Sequence, residues 1–534
     1  MGRIQARPRG GTGGSRDGPG SPGSGCRHGG GTHVSRREFI LAIDQGTTGT
    51  TVLAFDREGR LRARGYAELP QHFPRPGWVE HRGEEIWETT LLALRTALRS
   101  LGGARAPRIA AIGLTNQRET TLVWDRDTSK PVAPAIVWQD RRTADRCAAL
   151  RRAGREREIA RRTGLKLDPY FSATKLEWIL RNVGGVRGRA RRGALAFGTV
   201  DSWLLWRLTG GAVHATDATN ASRTLLFDIR VRRWDPSLLR LFGVPRSLLP
   251  EVRPSISDFG LTRGVKGLPD GIPILGMAGD QQAALFGQGC VAAGGLKNTY
   301  GTGCFLLLHT GSKPVPSRSG LLTTIACGPR GEPRYALEGS VFIGGAAIQW
   351  LRDGLGILES AEESETMARS VPDAGGTTLV PAFAGLGAPY WRPEARGIWR
   401  GLTRGTTRAH LARAALESIA FQSRDLVEAM RRDSRVRIRE LRVDGGAAMN
   451  AFLMQFQADL LGIPISRPGL VETTALGAAL LAGIGAGWWK RASDLKTVRG
   501  SGRVFRPRMK RAERERLYRG WIEAVEMLLA GAPS

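Results

Sequence analysis

Two glycine–threonine segments in this chain have the residue types needed to hold phosphate. Asp44-Gln45-Gly46-Thr47-Thr48-Gly49-Thr50 follows the apolar run Phe39-Ile40-Leu41-Ala42-Ile43, and Asn298-Thr299-Tyr300-Gly301-Thr302-Gly303 leads into the apolar Cys304–Leu308. Turns of this kind present backbone amides and hydroxyls to anionic oxygens, and their glycines let a ligand approach the backbone. A further glycine pair, Gly445-Gly446, follows Leu441-Arg442-Val443-Asp444. Other phosphate chemistries are excluded. No G-x-x-x-x-G-K-[ST] occurs, so there is no P-loop. Asp258-Phe259-Gly260 spells the magnesium motif of protein kinases, but no H-R-D loop precedes it, and the tripeptide is read as chance. The glycine-rich N-terminal tail lacks the strand–turn–helix context of a dinucleotide fingerprint.

The elements around these segments follow from hydrophobic pattern. Phe39–Ile43 is continuous enough to be a central strand buried on both faces. A second strand over Thr51–Phe55, a turn at Asp56–Gly59 and a third strand around Leu61–Ala67 make a meander. Trp87, Leu91, Leu94, Leu98 and Leu101 recur at helical spacing and predict an amphipathic helix. The strand Ile109–Leu114 delivers Asn116-Gln117-Arg118-Glu119 at its C-terminal end, where open α/β sheets place ligand groups. In the second half, Asn450 is expected to cap a helix over Ala451–Leu461, which Gly462 and Pro464 then stop. Two similar α/β halves with facing glycine turns imply a cleft between domains.

At 534 residues the chain is too long for one hydrophobic core. Residues 1–37 are Gly, Arg, Pro and Ser with few apolar side chains and are expected to be a disordered extension, with Val34 a candidate start just before the first strand. Residues 38–287 and 288–534 are the expected N-terminal and C-terminal domains. The five scattered cysteines form no C-x-x-C pair, which argues against a disulfide framework or zinc site and fits a reducing cytoplasm. No run of 18 apolar residues occurs, so no membrane insertion is expected. The formal charge of +30 lies in arginine tracts such as Arg151–Arg162, Arg187–Arg192, Arg431–Arg439 and Arg503–Arg516. These carry almost no aromatics and no nucleic-acid module, so they read as solvated surface charge and no specific nucleic acid is expected.

Taken together, these residues resemble the glycerol kinases of the FGGY carbohydrate kinase family, which share their fold with actin and hexokinase. The likeness runs from about Phe39 to about Trp489. It is most specific in PGWVEH (Pro76–His81), LTNQRETT (Leu114–Thr121), FGTVDSW (Phe197–Trp203), TNASRT (Thr219–Thr224), AGDQQAALFG (Ala278–Gly287), NTYGTGCF (Asn298–Phe305) and VDGG (Val443–Gly446). YFSATKLEW (Tyr170–Trp178) corresponds to a signature of the wider family. The resemblance implies an α/β protein of two ribonuclease H-like (actin-like) domains with a ligand cleft between them. It implies ATP and Mg²⁺ as cofactors, glycerol as substrate, a homo-oligomer (dimer or tetramer) and a cytoplasmic location.

The resemblance also implies roles. Asp280 matches the catalytic base, able to take the proton of an attacking hydroxyl; from sequence alone it reads equally well as a helix cap. Arg118 and Glu119 match groups that donate to and accept from the glycerol hydroxyls. Tyr170 and Gln281 match further hydroxyl contacts, and Trp138 and Phe305 match aromatics flanking the carbon backbone. Thr47, Thr48 and Gly49 match the first phosphate turn and Thr302 a second one. Gly345, Gln349, Gly446 and Asn450 match positions around the nucleotide. Asp44 matches the carboxylate that positions Mg²⁺ through water, with Asp280 close to the same ion.

Two positions depart from the family pattern. Thr51 stands where an arginine touches the nucleotide phosphates, so weaker nucleotide handling is expected. Gly271, in the loop Gly264–Gly271, stands where some bacterial relatives have an arginine that binds fructose 1,6-bisphosphate, so little inhibition by that sugar is expected. Two other functions compatible with these residues are a kinase for another polyol or ketose, and a non-catalytic ATP-binding scaffold.

Overall fold

A computed structural model describes residues 38–102, 108–490 and 502–531. The extension 1–37, expected to be disordered, lies outside the described residues. The central apolar run is strand β1 (Glu38–Gln45), whose Ile40, Leu41, Ala42 and Ile43 have no exposed surface. A tight turn, closed by the Gly46 amide donating to Gly49 O at 2.9 Å, returns the chain as antiparallel β2 (Gly49–Phe55), and β3 (Leu61–Glu68) completes the meander. Helix α1 (Gly83–Ser100) covers one face through Ile86, Trp87, Ala93, Leu94 and Ala97. It lies so close that a Cβ on Gly65 of β3 would meet Ala93 O at 2.0 Å.

Strand β4 (Arg108–Asn116) joins β1 in parallel. A long insertion containing helix α2 (Ser172–Asn182) follows, and then β5 (Ile274–Gly279) joins β4 in parallel and runs directly into helix α3 (Asp280–Gly287). The first sheet therefore has the order β5-β4-β1-β2-β3.

The second sheet comprises β6 (Leu296–Tyr300), β7 (Cys304–Gly311), β8 (Leu322–Cys327), β9 (Pro333–Val341), β10 (Leu441–Asp444), β11 (Ile465–Arg467) and β12 (Arg503–Phe505), in the order β8-β9-β7-β6-β10-β11-β12. Without the two edge strands this is β9-β7-β6-β10-β11. The first three are antiparallel neighbours and the last two add in parallel, the same order and directions as the first sheet. The fold is thus a duplicated ribonuclease H-like arrangement. Helices α4 (Arg408–Ser434), α5 (Ala451–Leu461), α6 (Thr473–Gly485) and α7 (Arg511–Gly531) complete the second half. Asn450 caps α5 as expected, accepting from the Leu453 amide at 2.9 Å, and Gly462 ends it in the left-handed conformation.

Each half lends a helix to the other. Helix α6 packs its Ala475, Ala478, Ala479 and Ala482 against Ile40, Ala42, Ala111 and Ala278 of the first sheet. Leu285 of α3 packs with Leu307, Ala326 and Ala336 of the second. The helices touch backbone to backbone: a Cβ on Gly477 would lie 1.9 Å from Ala283 O, and one on Gly287 would lie 2.1 Å from Thr473 O. This contact depends on glycine and alanine, because any larger side chain would hold the helices apart.

Candidate active site

Parallel strands β1, β4 and β5 end side by side. Asp44 stands in register with Thr115, and Thr115 with Ala278. Each strand end, or the chain just past it, supplies a candidate group: Asp44 from β1, Arg118 and Glu119 after β4, and Asp280 after β5. Glu119 has a positive φ of 61°, a conformation that costs a non-glycine residue free energy and persists only where its surroundings impose it. Here its carbonyl accepts from Ser172 Oγ at 3.0 Å and Lys175 Nζ at 3.2 Å, both from α2. Lys175 also donates to Tyr170 O at 2.7 Å, so one buried ammonium fixes two candidate polyol residues. Burial lowers that ammonium to about 7.

Asp280 is the first residue of α3, and Gly279 occupies the capping position. Its Oδ1 accepts from the Gln281 amide at 2.7 Å and lies 3.0 Å from Arg118 Nε. Its Oδ2 has only Gln281 Nε2, at 3.4 Å. The Asp280 side chain is 30% exposed, against 2% for Arg118. A carboxylate oxygen with spare acceptor capacity at the edge of a buried polar cluster is suited to receive a proton.

Behind it lies a network that includes two groups the sequence reading did not single out. Glu338 of β9 pairs bidentately with Arg118, Oε2 with Nη1 at 2.8 Å and Oε1 with Nη2 at 2.9 Å, and its Oε1 also accepts from Arg223 Nη2 at 3.0 Å. Arg223 Nε in turn donates to Glu119 Oε1 at 2.7 Å. All four side chains are buried, and their charges balance. Burial raises the Glu338 carboxyl, but Arg118 and Arg223 together hold it at about 2. Burial dominates at Glu119 and leaves its carboxyl above the ordinary value despite Arg118 and Arg223. The sequence did carry a signal: Arg223 falls within the TNASRT segment, and Glu338 is the only charge within the run Tyr335–Val341.

Three aromatics stand next to this cluster. The Trp138 ring meets Tyr170 at 5.6 Å and Phe305 at 6.4 Å between centroids, both edge to face. Phe305 comes from β7, so the aromatic group joins both halves. The Trp138 indole also donates to Thr47 Oγ1 at 2.9 Å in the first glycine–threonine turn. A third missed residue, Lys297 of β6, donates from Nζ to Gln281 Oε1 and, at 2.8 Å, to Thr299 Oγ1. Because an ammonium only donates, it sets the Gln281 amide with its oxygen toward Lys297 and its NH₂ toward Asp280. Burial lowers the Lys297 ammonium to about 8.

Of the predicted nucleotide residues, Thr302, Gly345 and Gly446 come from neighbouring turns of the second half. Thr302 lies in an exposed turn whose carbonyls Gly301 O and Thr302 O accept from the Gly345 and Gly344 amides at 2.9 and 2.8 Å. Gln349, one helical turn past Gly345, is exposed. Gly445 has φ +86° and a Cβ there would lie 2.4 Å from Tyr300 O, whereas a Cβ on Gly446 would meet nothing within 4 Å. Gly446 thus has an open face. The Asn450 amide is engaged by the cap of α5 and by Ser364 Oγ at 3.2 Å. Thr48 is exposed at the turn, while Gly49 is buried against Tyr66 and Ala67 O, so packing accounts for it. Thr51, the departure from the arginine pattern, stands opposite Asp44 on β2. Gly271 has φ +85°, which an arginine would adopt only with strain.

Burial, and then the negative charge of Asp280, raise the Asp44 carboxyl to about 7. A buried carboxylate whose charge is disfavoured by a second one is a fitting place for a divalent cation. Among the described residues no group of three or more His, Cys, Asp or Glu could cage a metal. A pair of carboxylates suits Mg²⁺, which keeps several waters and takes further oxygens from substrate phosphates.

Comparison with known proteins agrees with this fold. Residues 39–287 match the N-terminal domain, and residues 296–486 the C-terminal domain, of the FGGY family of carbohydrate kinases. A glycerol kinase of Deinococcus radiodurans is 56% identical over 493 residues, covering 92% of this chain and 98% of that protein. Glycerol kinase 2 of Thermotoga maritima is 55% identical over the same length, covering 92% of this chain and 99% of the relative. Among solved structures, Plasmodium falciparum glycerol kinase with ADP superposes with a TM-score of 0.87 at 37% identity, covering 92% of this chain and 98% of that one. A gluconate kinase of Lactobacillus acidophilus shares the fold, with a TM-score of 0.84 at 22% identity. No helix among the described residues is long and apolar enough to cross a membrane. A duplicated ribonuclease H-like fold, matched in both halves by the family's two domains and over most of its length by such relatives, means that this chain belongs to the FGGY family of carbohydrate kinases.

Proposed function

We propose that this protein transfers the γ-phosphoryl group of ATP to a terminal hydroxyl of glycerol, giving glycerol 3-phosphate. The observation that carries the reading is the partly exposed Asp280 carboxylate, 3.0 Å from Arg118 Nε and within one cluster with Glu119, Gln281 and the aromatics Trp138, Tyr170 and Phe305. A small triol needs just this mixture. Aromatic faces take its C–H surface, while a guanidinium edge, a carboxylate and an amide fix its hydroxyls. The identity of about 55% to proteins named glycerol kinase over 92% of the chain supports glycerol over other substrates of the family.

The roles follow from hydrogen-bond capacity. Both Nη1 hydrogens of Arg118 are used by Glu338 and Gln282, and one Nη2 hydrogen by Glu338, so a single Nη2–H is left for a hydroxyl. Glu119 keeps Oε2 as an acceptor, since Oε1 takes Arg223. Asp280 Oδ2 accepts the proton of the attacking hydroxyl as its oxygen bonds to phosphorus and the β–γ bridging oxygen leaves with ADP. The turns at Thr47-Thr48 and Thr302 hold the phosphate oxygens with amides and hydroxyls, and Gly446 with its open face admits the nucleoside. Mg²⁺, held near Asp44 and Asp280, supplies neutralisation of phosphate charge when bound. Positioning and electrostatics supply most of the acceleration, and contact between the halves excludes water that would otherwise hydrolyse ATP.

The test is ADP release with glycerol, xylulose, ribulose or gluconate as acceptor, for the parent and Asp280→Asn. Glycerol-dependent turnover by the parent, lowered by about 10²–10⁴ in kcat in the variant, is the expected result. Equal turnover without acceptor, or a preference for a ketose, would refute the reading.

A further inference from the structure

Glu338 touches none of the space in which a substrate could sit: it is fully buried on β9, in the second half of the chain. Yet its partners, Arg118 and Arg223, belong to the first half and lie at the polyol cluster. We infer that Glu338 is a positioning residue, a carboxylate reaching from the second sheet to set the guanidinium that orients the polyol. The inference rests on the glycerol reading above and extends it to a residue with no substrate contact.

Three observations support it. First, Arg118 is held as a fork: Nη1 and Nη2 meet the two oxygens of one carboxylate at 2.8 and 2.9 Å, which fixes the guanidinium plane as a single hydrogen bond could not. Second, the same carboxylate takes Arg223 Nη2 at 3.0 Å. The Arg118 charge disfavours that of Arg223, and Glu338, bonded to both guanidiniums, offsets the repulsion between them. Arg223 in turn aligns Glu119 through Nε, so Glu338 sets the donor of the polyol cluster directly and its acceptor through Arg223. Third, β9 belongs to the sheet that bears Phe305 and the Thr302 turn, whereas Arg118 and Asp280 follow strands of the other sheet. The hydroxyl-binding edge is therefore aligned only while the halves are in contact, which ties polyol affinity to that contact.

The experiment compares the parent with Glu338→Asp and Glu338→Gln, varying glycerol and ATP separately and recording thermal unfolding alongside. Glu338→Asp keeps the charge, but its side chain is one methylene shorter, which draws the carboxylate out of hydrogen-bond reach of both guanidinium nitrogens. Loss of one charge-assisted bond at Arg118 raises the glycerol KM by about tenfold, with the ATP KM changed by less than about twofold. Glu338→Gln, which also loses the charge, raises the glycerol KM at least as far. If Glu338 serves only to stabilise the fold, both variants unfold at lower temperature and the glycerol KM of the folded enzyme stays within about twofold of the parent; that result overturns the inference. Should Glu338→Gln fail to fold, Glu338→Asp decides alone. A parent that turns over no glycerol defeats the proposed function itself, whereas an active parent with indifferent variants defeats only the role of Glu338.

Discussion

The indole N–H of Trp138 donates to the Thr47 hydroxyl at 2.9 Å, so the side chain that faces Tyr170 and Phe305 with its ring also holds the first glycine–threonine turn. One residue thus spans the proposed polyol wall and the proposed phosphate turn, and substitutions there should be felt by both substrates.

Trp138→Phe keeps most of the apolar wall and removes the hydrogen bond. A neutral hydrogen bond contributes about 1 kcal/mol, so the KM for ATP is expected to rise by about fivefold together with a rise for glycerol. Phe305→Leu, which removes no hydrogen bond to the Thr47 turn, should change the glycerol KM more than the ATP KM. Steady-state kinetics with each substrate varied separately distinguishes these outcomes; an ATP KM that does not move in Trp138→Phe would show that the hydrogen bond does not position the turn.

Thr51→Arg restores the residue that the resemblance leads one to expect opposite Asp44. A charge-assisted bond to phosphate is worth about 1.5–3 kcal/mol, so the ATP KM should fall by about tenfold or more. An unchanged KM would mean that another group already fills that role in this chain.

Asp44→Asn should separate stability from function. Burial and the Asp280 charge raise the Asp44 carboxyl from 3.8 to about 7. A carboxyl raised on folding favours the folded state while protonated; that contribution is fully present below the unfolded value and is lost as pH rises through the folded one. Without nucleotide or metal, the parent should therefore lose Tm between about pH 4 and pH 7 relative to Asp44→Asn, which cannot ionise. The same variant should handle MgATP worse. Parallel Tm profiles for the two proteins would contradict the assignment.

Two glycine-to-alanine changes test the contact between halves. Gly477→Ala would place a methyl 1.9 Å from Ala283 O, so helices α3 and α6 must separate, at a cost of about 1–3 kcal/mol or more. Gly520→Ala, inside α7, meets nothing within 4 Å and should stabilise by about 0.5–1 kcal/mol. Chemical denaturation of both variants measures the contrast, and a neutral Gly477→Ala would argue that the helices can part freely.

Much of this protein was legible in its sequence because the information is local. The run Phe39–Ile43 could only be a buried strand, the spacing from Trp87 to Leu101 gave α1, and Asn450 and Gly462 fixed the two ends of α5. The glycine–threonine turns and the pair Arg118 and Glu119 could be picked out for the same reason, since each lies at the end of a recognisable strand, whereas Asp280, which reads equally well as a helix cap, was singled out only through the family resemblance. The partners of those residues could not. Glu338 lies 220 positions from Arg118 and Lys297 lies 16 from Gln281, and nothing in a linear pattern says that these side chains meet. The helix exchange, in which α6 closes the first sheet and α3 contacts the second, likewise depends on how two similar halves dock. Periodicity specifies which face of an element is apolar, but which surface covers it, and which buried charge neutralises which, is decided only when all the elements compete for the same interior.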